Sequence, residues 1–390
     1  VSGSTLSVIS VADTCAVTAT KAADTNYNVA SSIATTITLT KATPTATLAV
    51  TNSPATYTGA AQSALVSVSA SSVAGTFANT LTGGLATQTN AGTYAVTADF
   101  VPTDTVNYNT LTGLGAGNFV INKATPTATL VVNNSPQLYS GSGQAATVGI
   151  TVSSVPGAVA NILTGGSATQ TNVGTYAVTA NFVPTDSTNY NTLTGLGAGN
   201  FEITQKPLTV TATGVNKEYD QTTNATVTLS SGDEVLGDNL VYAYTSALFE
   251  NKIAANGKTV NVSGISISGP KLENYNLVST TAVATANITK KPITATINLN
   301  NKTYDGDTSV AYSSTNPRVA NSVIAGDAVV VENTGSKSFI DKHVGVGKTV
   351  NATGLTLSGA DKDNYDFNGT GTGTATINAR PITVTAVTAT

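Results

Sequence analysis

Asn90-Ala91-Gly92-Thr93-Tyr94-Ala95-Val96 decides the reading of this chain, and it returns almost unchanged as Asn172-Val173-Gly174-Thr175-Tyr176-Ala177-Val178. A Gly-bearing turn opens into alternating polar and apolar residues, which is the period-2 pattern of a strand. The Tyr stands two residues ahead of Val96, where an antibody domain carries a cysteine. That is the placement of a tyrosine corner, in which the phenol bonds back to backbone just upstream. The stretch therefore predicts a late strand of an Ig-like antiparallel β-sandwich.

The same constant offset carries Pro44 to Pro126, Tyr57 to Tyr139 and Tyr108 to Tyr190. Residues 41–122 and 123–204 are a tandem duplication with roughly 70% of positions identical, the signature of a modular array. Segment 1–40 reads as the C-terminal half of a repeat. Its Thr14-Cys15-Ala16-Val17-Thr18-Ala19 matches Thr93 to Ala98, and Asn26-Tyr27-Asn28 matches Asn107-Tyr108-Asn109. At Lys206-Pro207 a second repeat type begins, giving units at 205–290 and 291–379. These share Tyr219-Asp220 with Tyr304-Asp305, Gly237-Asp238 with Gly326-Asp327, Gly-Lys-Thr-Val-Asn from Gly257 and Gly347, and Asn274-Tyr275 with Asn364-Tyr365. Residues 380–390 read as the first strand of a further repeat.

Repeats of this length leave room for roughly seven short strands each, the size of a sandwich. Each boundary is short and bears a proline, as in Lys123-Ala124-Thr125-Pro126. Proline fixes its own φ and holds the preceding residue extended. The expectation is a tandem array of sandwiches forming an elongated rod, about 35 Å per repeat and on the order of 140 Å for four.

Composition narrows function by what it lacks. Charged residues are 10% of the chain and the net charge is −4, without a basic stripe. A nucleic-acid partner would have no electrostatic footing. No apolar run approaches the roughly 18 residues of a membrane span, so no membrane insertion is expected of this segment. The one cysteine, Cys15, holds the Tyr94 position and reads as a buried small hydrophobe. The one histidine, His343, reads as an ordinary surface residue.

Catalysis requires a nucleophile beside a base, paired carboxylates or metal ligands, and none is assigned here. Among cofactors only calcium has candidates: Asp305, Asp307, Asp361 and Asp363 are weak ones, with the pairs Asp104/Asn107 and Asp186/Asn189 behind them. Calcium wants six to eight converging oxygens, whereas Asp beside Gly or Asn also serves a tight turn. No cofactor is therefore expected. A Lys–Asn isopeptide bond could draw on Lys41 or Lys123 with Asn118 or Asn200, but a boundary lysine more simply protects an edge. Threonine alternation around Thr36–Thr47 reads as solvent-facing strand. The Asn-x-Ser/Thr sequons at Asn133, Asn224, Asn261, Asn287, Asn301, Asn351 and Asn368 are expected by chance in so Asn- and Thr-rich a sequence.

Tyr304-Asp305-Gly306, Gly326-Asp327, Gly347-Lys348-Thr349-Val350 and Leu355-Thr356-Leu357-Ser358-Gly359-Ala360-Asp361 with Asn364-Tyr365 resemble the YDG-type repeat of large bacterial surface adhesins. Unit 205–290 is similar but reads Tyr219-Asp220-Gln221, without the glycine. Residues 1–204 resemble bacterial Ig-like and MBG-type repeats through Gly-Thr-Tyr-Ala-Val-Thr-Ala and Asn-Tyr-Asn. The resemblance implies an extracellular, cell-surface bacterial setting and a non-catalytic stalk or fibre segment giving rigid reach for adhesion. Its partners would be neighbouring repeats of the same or a longer polypeptide. Two alternatives stand beside it. One is a repeated glycan- or partner-binding module. The other is a head-to-tail filament of copies joined by strand complementation through 380–390, against the simpler reading of a window from a longer chain.

Overall fold

A computed structural model describes residues 10–11, 14–315, 318–333 and 335–386. Its described residues form strands joined by turns, with two single-turn 3-10 helices at Leu272–Asn274 and Lys362–Asn364 and no α-helix. The protein is all-β, as Thr/Val/Ala alternation and frequent Gly/Asn turns require. The chain divides into two compact units. One holds residues 1–137, 143–170 and 175–202; the other holds 138–142, 171–174 and 203–390.

In the first unit, residues 41–122 show how a repeat closes. Ala46–Val50 pairs antiparallel with Val66–Ser71. This hairpin faces a four-stranded sheet in the order Ala55–Thr56, Leu111–Asn122, Gly92–Pro102, Gly75–Thr82. Along Gly92–Pro102 every second residue from Val96 to Pro102 is buried, so the strand turns one apolar face inward. Leu48, Val66, Val96, Ala98, Phe119 and Ile121 meet there as the core. Each large apolar side chain so buried contributes about 2 kcal/mol. Phe100 is fully buried against Gly75, where an added Cβ would lie 2.5 Å from the ring. A glycine is needed there.

The tyrosine corner forms as expected: Tyr94 Oη donates to the Asn90 carbonyl at 2.8 Å. One feature departs from simple alternation. The register of Leu111–Asn122 slips between Gly115 and Gly117, and Gly117 sits at φ +100°. The inward positions therefore jump from Ala116 to Phe119. The second copy repeats these hairpins, with Ala128 opposite Ser153 and Gly157 opposite Pro184.

The hairpins are antiparallel as read from sequence, but the edges are not. Ala55–Thr56 joins Ile121–Asn122 in parallel, and Ala42 bridges Tyr108 in parallel. Six strands and that bridge fill 41–122, where the sequence suggests about seven strands. In the second unit Lys206–Leu208 pairs in parallel with Tyr275–Leu277. A four-stranded sheet again runs edge, last, central, outer: Lys217–Glu218, Thr281–Thr289, Ala255–Ser263, Ser246–Phe249. Both repeat types thus share one strand order despite dissimilar sequences.

In segment 1–40, Cys15 pairs with Ile37 as Tyr94 pairs with Phe119. Cys15 is half-buried rather than enclosed. Among the described residues this segment supplies two short hairpins and no facing sheet to cover it. Residues 380–386 are exposed and outside any strand, while the end of the expected further strand, from Val387, lies outside the described residues.

Tyr94→Phe keeps the ring and removes the corner bond. It is expected to lower stability by about 1 kcal/mol in urea denaturation; an unchanged midpoint would show that the corner contributes nothing.

Candidate functional site: the junctions between repeats

The candidate metal ligands are engaged elsewhere. Asp305 and Asp307 both face the Lys302 ammonium, at 2.7 and 2.6 Å. Their hydrogen bonds with it hold both carboxyls below the usual range. Asp361 accepts from the Ala328 N–H at 2.9 Å, and Asp363 pairs with Lys362 at 3.1 Å. Among the described residues no three His, Cys, Asp or Glu converge. His343 is exposed, its N–H donating to Asp341 at 2.8 Å. Lys41 and Lys123 are exposed and donate to the carbonyls of Thr105 and Ser187, each at 2.6 Å.

The recurring chemistry lies where one repeat meets the next. Three junctions that use the same two short motifs are described, one inside the first unit and two inside the second. The first motif is Tyr-x-Gly, at Tyr57-Thr58-Gly59, Tyr139-Ser140-Gly141, Tyr219-Asp220-Gln221 and Tyr304-Asp305-Gly306. Its third residue has φ of +81°, +77°, +67° and +91° in turn, the left-handed region natural to glycine. The second is Asn-Tyr, at Asn189-Tyr190, Asn274-Tyr275 and Asn364-Tyr365. In the first repeat type an Asp three residues upstream sets its geometry: Asp186 accepts from the Asn189 backbone N–H at 3.1 Å and from its Nδ2 at 2.8 Å. The amide is thereby turned so that Oδ1 faces away from its own turn.

That oxygen accepts a backbone N–H from the preceding repeat. Ala91 donates to Asn189 at 2.7 Å, Val173 to Asn274 at 2.9 Å and Ala254 to Asn364 at 2.9 Å. All three asparagines are at most 5% exposed, so each bond removes a buried polar group from risk. Segment 1–40 makes the same bond to the repeat after it, Val11 donating to Asn107 at 2.8 Å. At the three junctions, the tyrosine of Tyr-x-Gly meets the tyrosine of Asn-Tyr edge to face. The pairs are Tyr57–Tyr190 at 5.4 Å, Tyr139–Tyr275 at 5.5 Å and Tyr219–Tyr365 at 5.7 Å, with interplanar angles of 83°, 75° and 74°. T-shaped pairs of this kind add about 0.5–1.5 kcal/mol beyond area burial.

The two junctions of the second unit add a carboxylate, which is the role of Gly-Asp. Asp238 Oδ2 accepts from Tyr139 Oη at 2.8 Å and from Tyr275 Oη at 2.5 Å. Asp327 Oδ2 accepts from Tyr365 Oη at 2.7 Å, while its Oδ1 accepts from Gln221 Nε2 at 2.6 Å. The buried Tyr219 hydroxyl lies within the field of Asp327 but makes no regular hydrogen bond. Gln221 explains the missing glycine of 205–290. It accepts a left-handed backbone, a cost of about 1 kcal/mol, and its side chain reaches the Gly-Asp turn of the next repeat.

Burial first, and the neighbouring carboxylate second, push Tyr139 and Tyr365 up to about 12. Tyr219 and Tyr275 are raised for the same reasons. A raised phenol pKa favours the folded state while the phenol is neutral. That stability is fully present below the unfolded value of about 10 and is lost as pH rises toward 12. A spectrophotometric titration of the 14 tyrosines is expected to show a late class ionising near pH 12, accompanied by loss of structure. Uniform ionisation near pH 10 with the fold intact would contradict these junctions.

Sequence comparison bears on the second repeat type. Residues 204–282 and 289–376 each match the YDG domain. No curated protein matches the chain. Among solved structures, one that aligns is a SusE-like surface-located polysaccharide-binding protein from the heparin utilisation locus of Bacteroides thetaiotaomicron. The identity is 9%, over 85% of this chain and 73% of that one, with a TM-score of 0.16. A score that low carries no functional weight. Two successive stretches in the second half of the chain are thus similar to the YDG domain.

Proposed function

We propose that this chain is a non-catalytic structural segment of a bacterial cell-surface protein, in which docked repeats supply reach. The observation that carries the reading is the junction. Three times, in two repeat types, an Asn side chain and a tyrosine pair tie a repeat to its neighbour. Flexible tethering would need none of these contacts, whereas a stalk that resists bending needs each of them. The YDG match supports the adhesin setting, and an MBG-type character of residues 1–204 belongs to the same proposal. An extracellular location and a rod-like shape belong to this proposal.

Small-angle scattering tests it. A compact globule of this length has a radius of gyration of about 21 Å. A rod of four repeats at roughly 35 Å each would give about 40 Å. The rod value, unchanged by moderate salt, is expected; the globule value would overturn the stalk.

A further inference from the structure

Lys258 is a buried cation without a counter-ion. It lies on Ala255–Ser263, where alternation sends Lys258, Val260 and Val262 inward together. This is the register that Tyr94 holds two residues before Val96 in the first repeat type. Just as Tyr94 Oη bonds the Asn90 carbonyl, Lys258 Nζ donates to the Ile253 carbonyl at 2.8 Å. An ammonium brings three protons and a charge, and Lys258 is only 4% exposed. Its side-chain partner is the neutral amide of Asn251, in direct contact through Oδ1. Among the described residues it makes no ion pair, and Glu250, the carboxylate whose charge reaches it, is exposed. A buried, unpaired ammonium is expensive, and burial pushes Lys258 below its usual value, toward the neutral amine.

The surroundings suit a reaction. Asn251 Oδ1 also accepts the Ile253 N–H at 3.0 Å, so the amide carbonyl is polarised by a fixed backbone donor. The nucleophile, the carbonyl and the donor for a developing oxyanion are held together where a short loop joins Ser246–Phe249 to Ala255–Ser263. The sister repeat provides an internal contrast. Lys348 holds the matching place and donates to the His343 carbonyl at 2.7 Å, but its side-chain partner is the carboxylate of Asp341. There the charge is paired and nothing further is required.

We propose that Lys258 and Asn251 are joined by an intramolecular isopeptide bond. The neutral Nζ attacks Asn251 Cγ, and the Nζ–Cγ bond forms as the Cγ–Nδ2 bond breaks. The amine proton passes to the departing nitrogen, which leaves as ammonia. No oxidant, metal or other reactant enters. The product is a neutral secondary amide, which removes the buried charge and closes the loop covalently.

The test is the intact mass of the purified full chain under denaturing conditions. A deficit of about 17 Da, one ammonia, is expected. Fragmentation should place the link between residues 251 and 258, and trypsin should fail to cut after Lys258. Lys258→Arg should restore the sequence mass. The wild-type measurement stands by itself if that variant does not fold, since it is read on denatured chain. A wild-type chain at its sequence mass would overturn the bond. So would a deficit traced to cyclisation at Asn256-Gly257 with Lys258 free.

Discussion

Everything particular to this chain depends on one contact repeated: the asparagine of an Asn-Tyr turn accepting a backbone N–H from the repeat before it, beside an edge-to-face tyrosine pair. A single sandwich of this size buries a modest core and leaves polar loops at both ends. The junction converts those loops into an interface. It satisfies a buried amide, covers two phenol rings and, in the second unit, engages a carboxylate, Asp238 between two tyrosine hydroxyls and Asp327 between the Tyr365 hydroxyl and the Gln221 amide.

The two repeat types solve the problem with different side chains on one plan. In the first unit Asp186 orients Asn189, and the tyrosine pair meets without a carboxylate. In the second, Asp238 and Asp327 bind the phenols, whose pKa values are raised by burial first and by these carboxylates second. Gln221 shows where a contact has outweighed backbone preference: a residue poorly suited to positive φ stands in a glycine position because its amide reaches Asp327. The corner shows the same substitution of means, with Lys258 and Lys348 standing where Tyr94 stands and bonding upstream carbonyls in its place.

Much of the fold was legible because it rests on local rules. The duplication, the period-2 strands and the Tyr94 corner all follow from spacing within a few residues. Parallel edge pairing was not legible, since Ala55 and Ile121 are joined by no pattern a linear reading can see. The junction was half legible. Tyr57, Tyr139, Asn274-Tyr275 and Asn364-Tyr365 stood out as landmarks, but their meeting depends on how repeats pack, which spacing does not encode. The signal that could have found it was the recurrence of Tyr-x-Gly and Asn-Tyr across both repeat types. The isopeptide candidates Lys41 and Lys123 lie at boundaries, whereas the enclosed lysine is Lys258, whose burial comes from strand register and is invisible in composition.

The central claim is that neighbouring repeats are energetically coupled through the tyrosine junction. A double-mutant cycle in the first unit measures this directly, with Tyr57→Ala, Tyr190→Ala and the pair compared by denaturant unfolding. A coupling energy of about 1 kcal/mol is expected, so that the second substitution costs less once the first is made. Strictly additive effects would show that the rings touch without coupling the repeats, and would contradict the account.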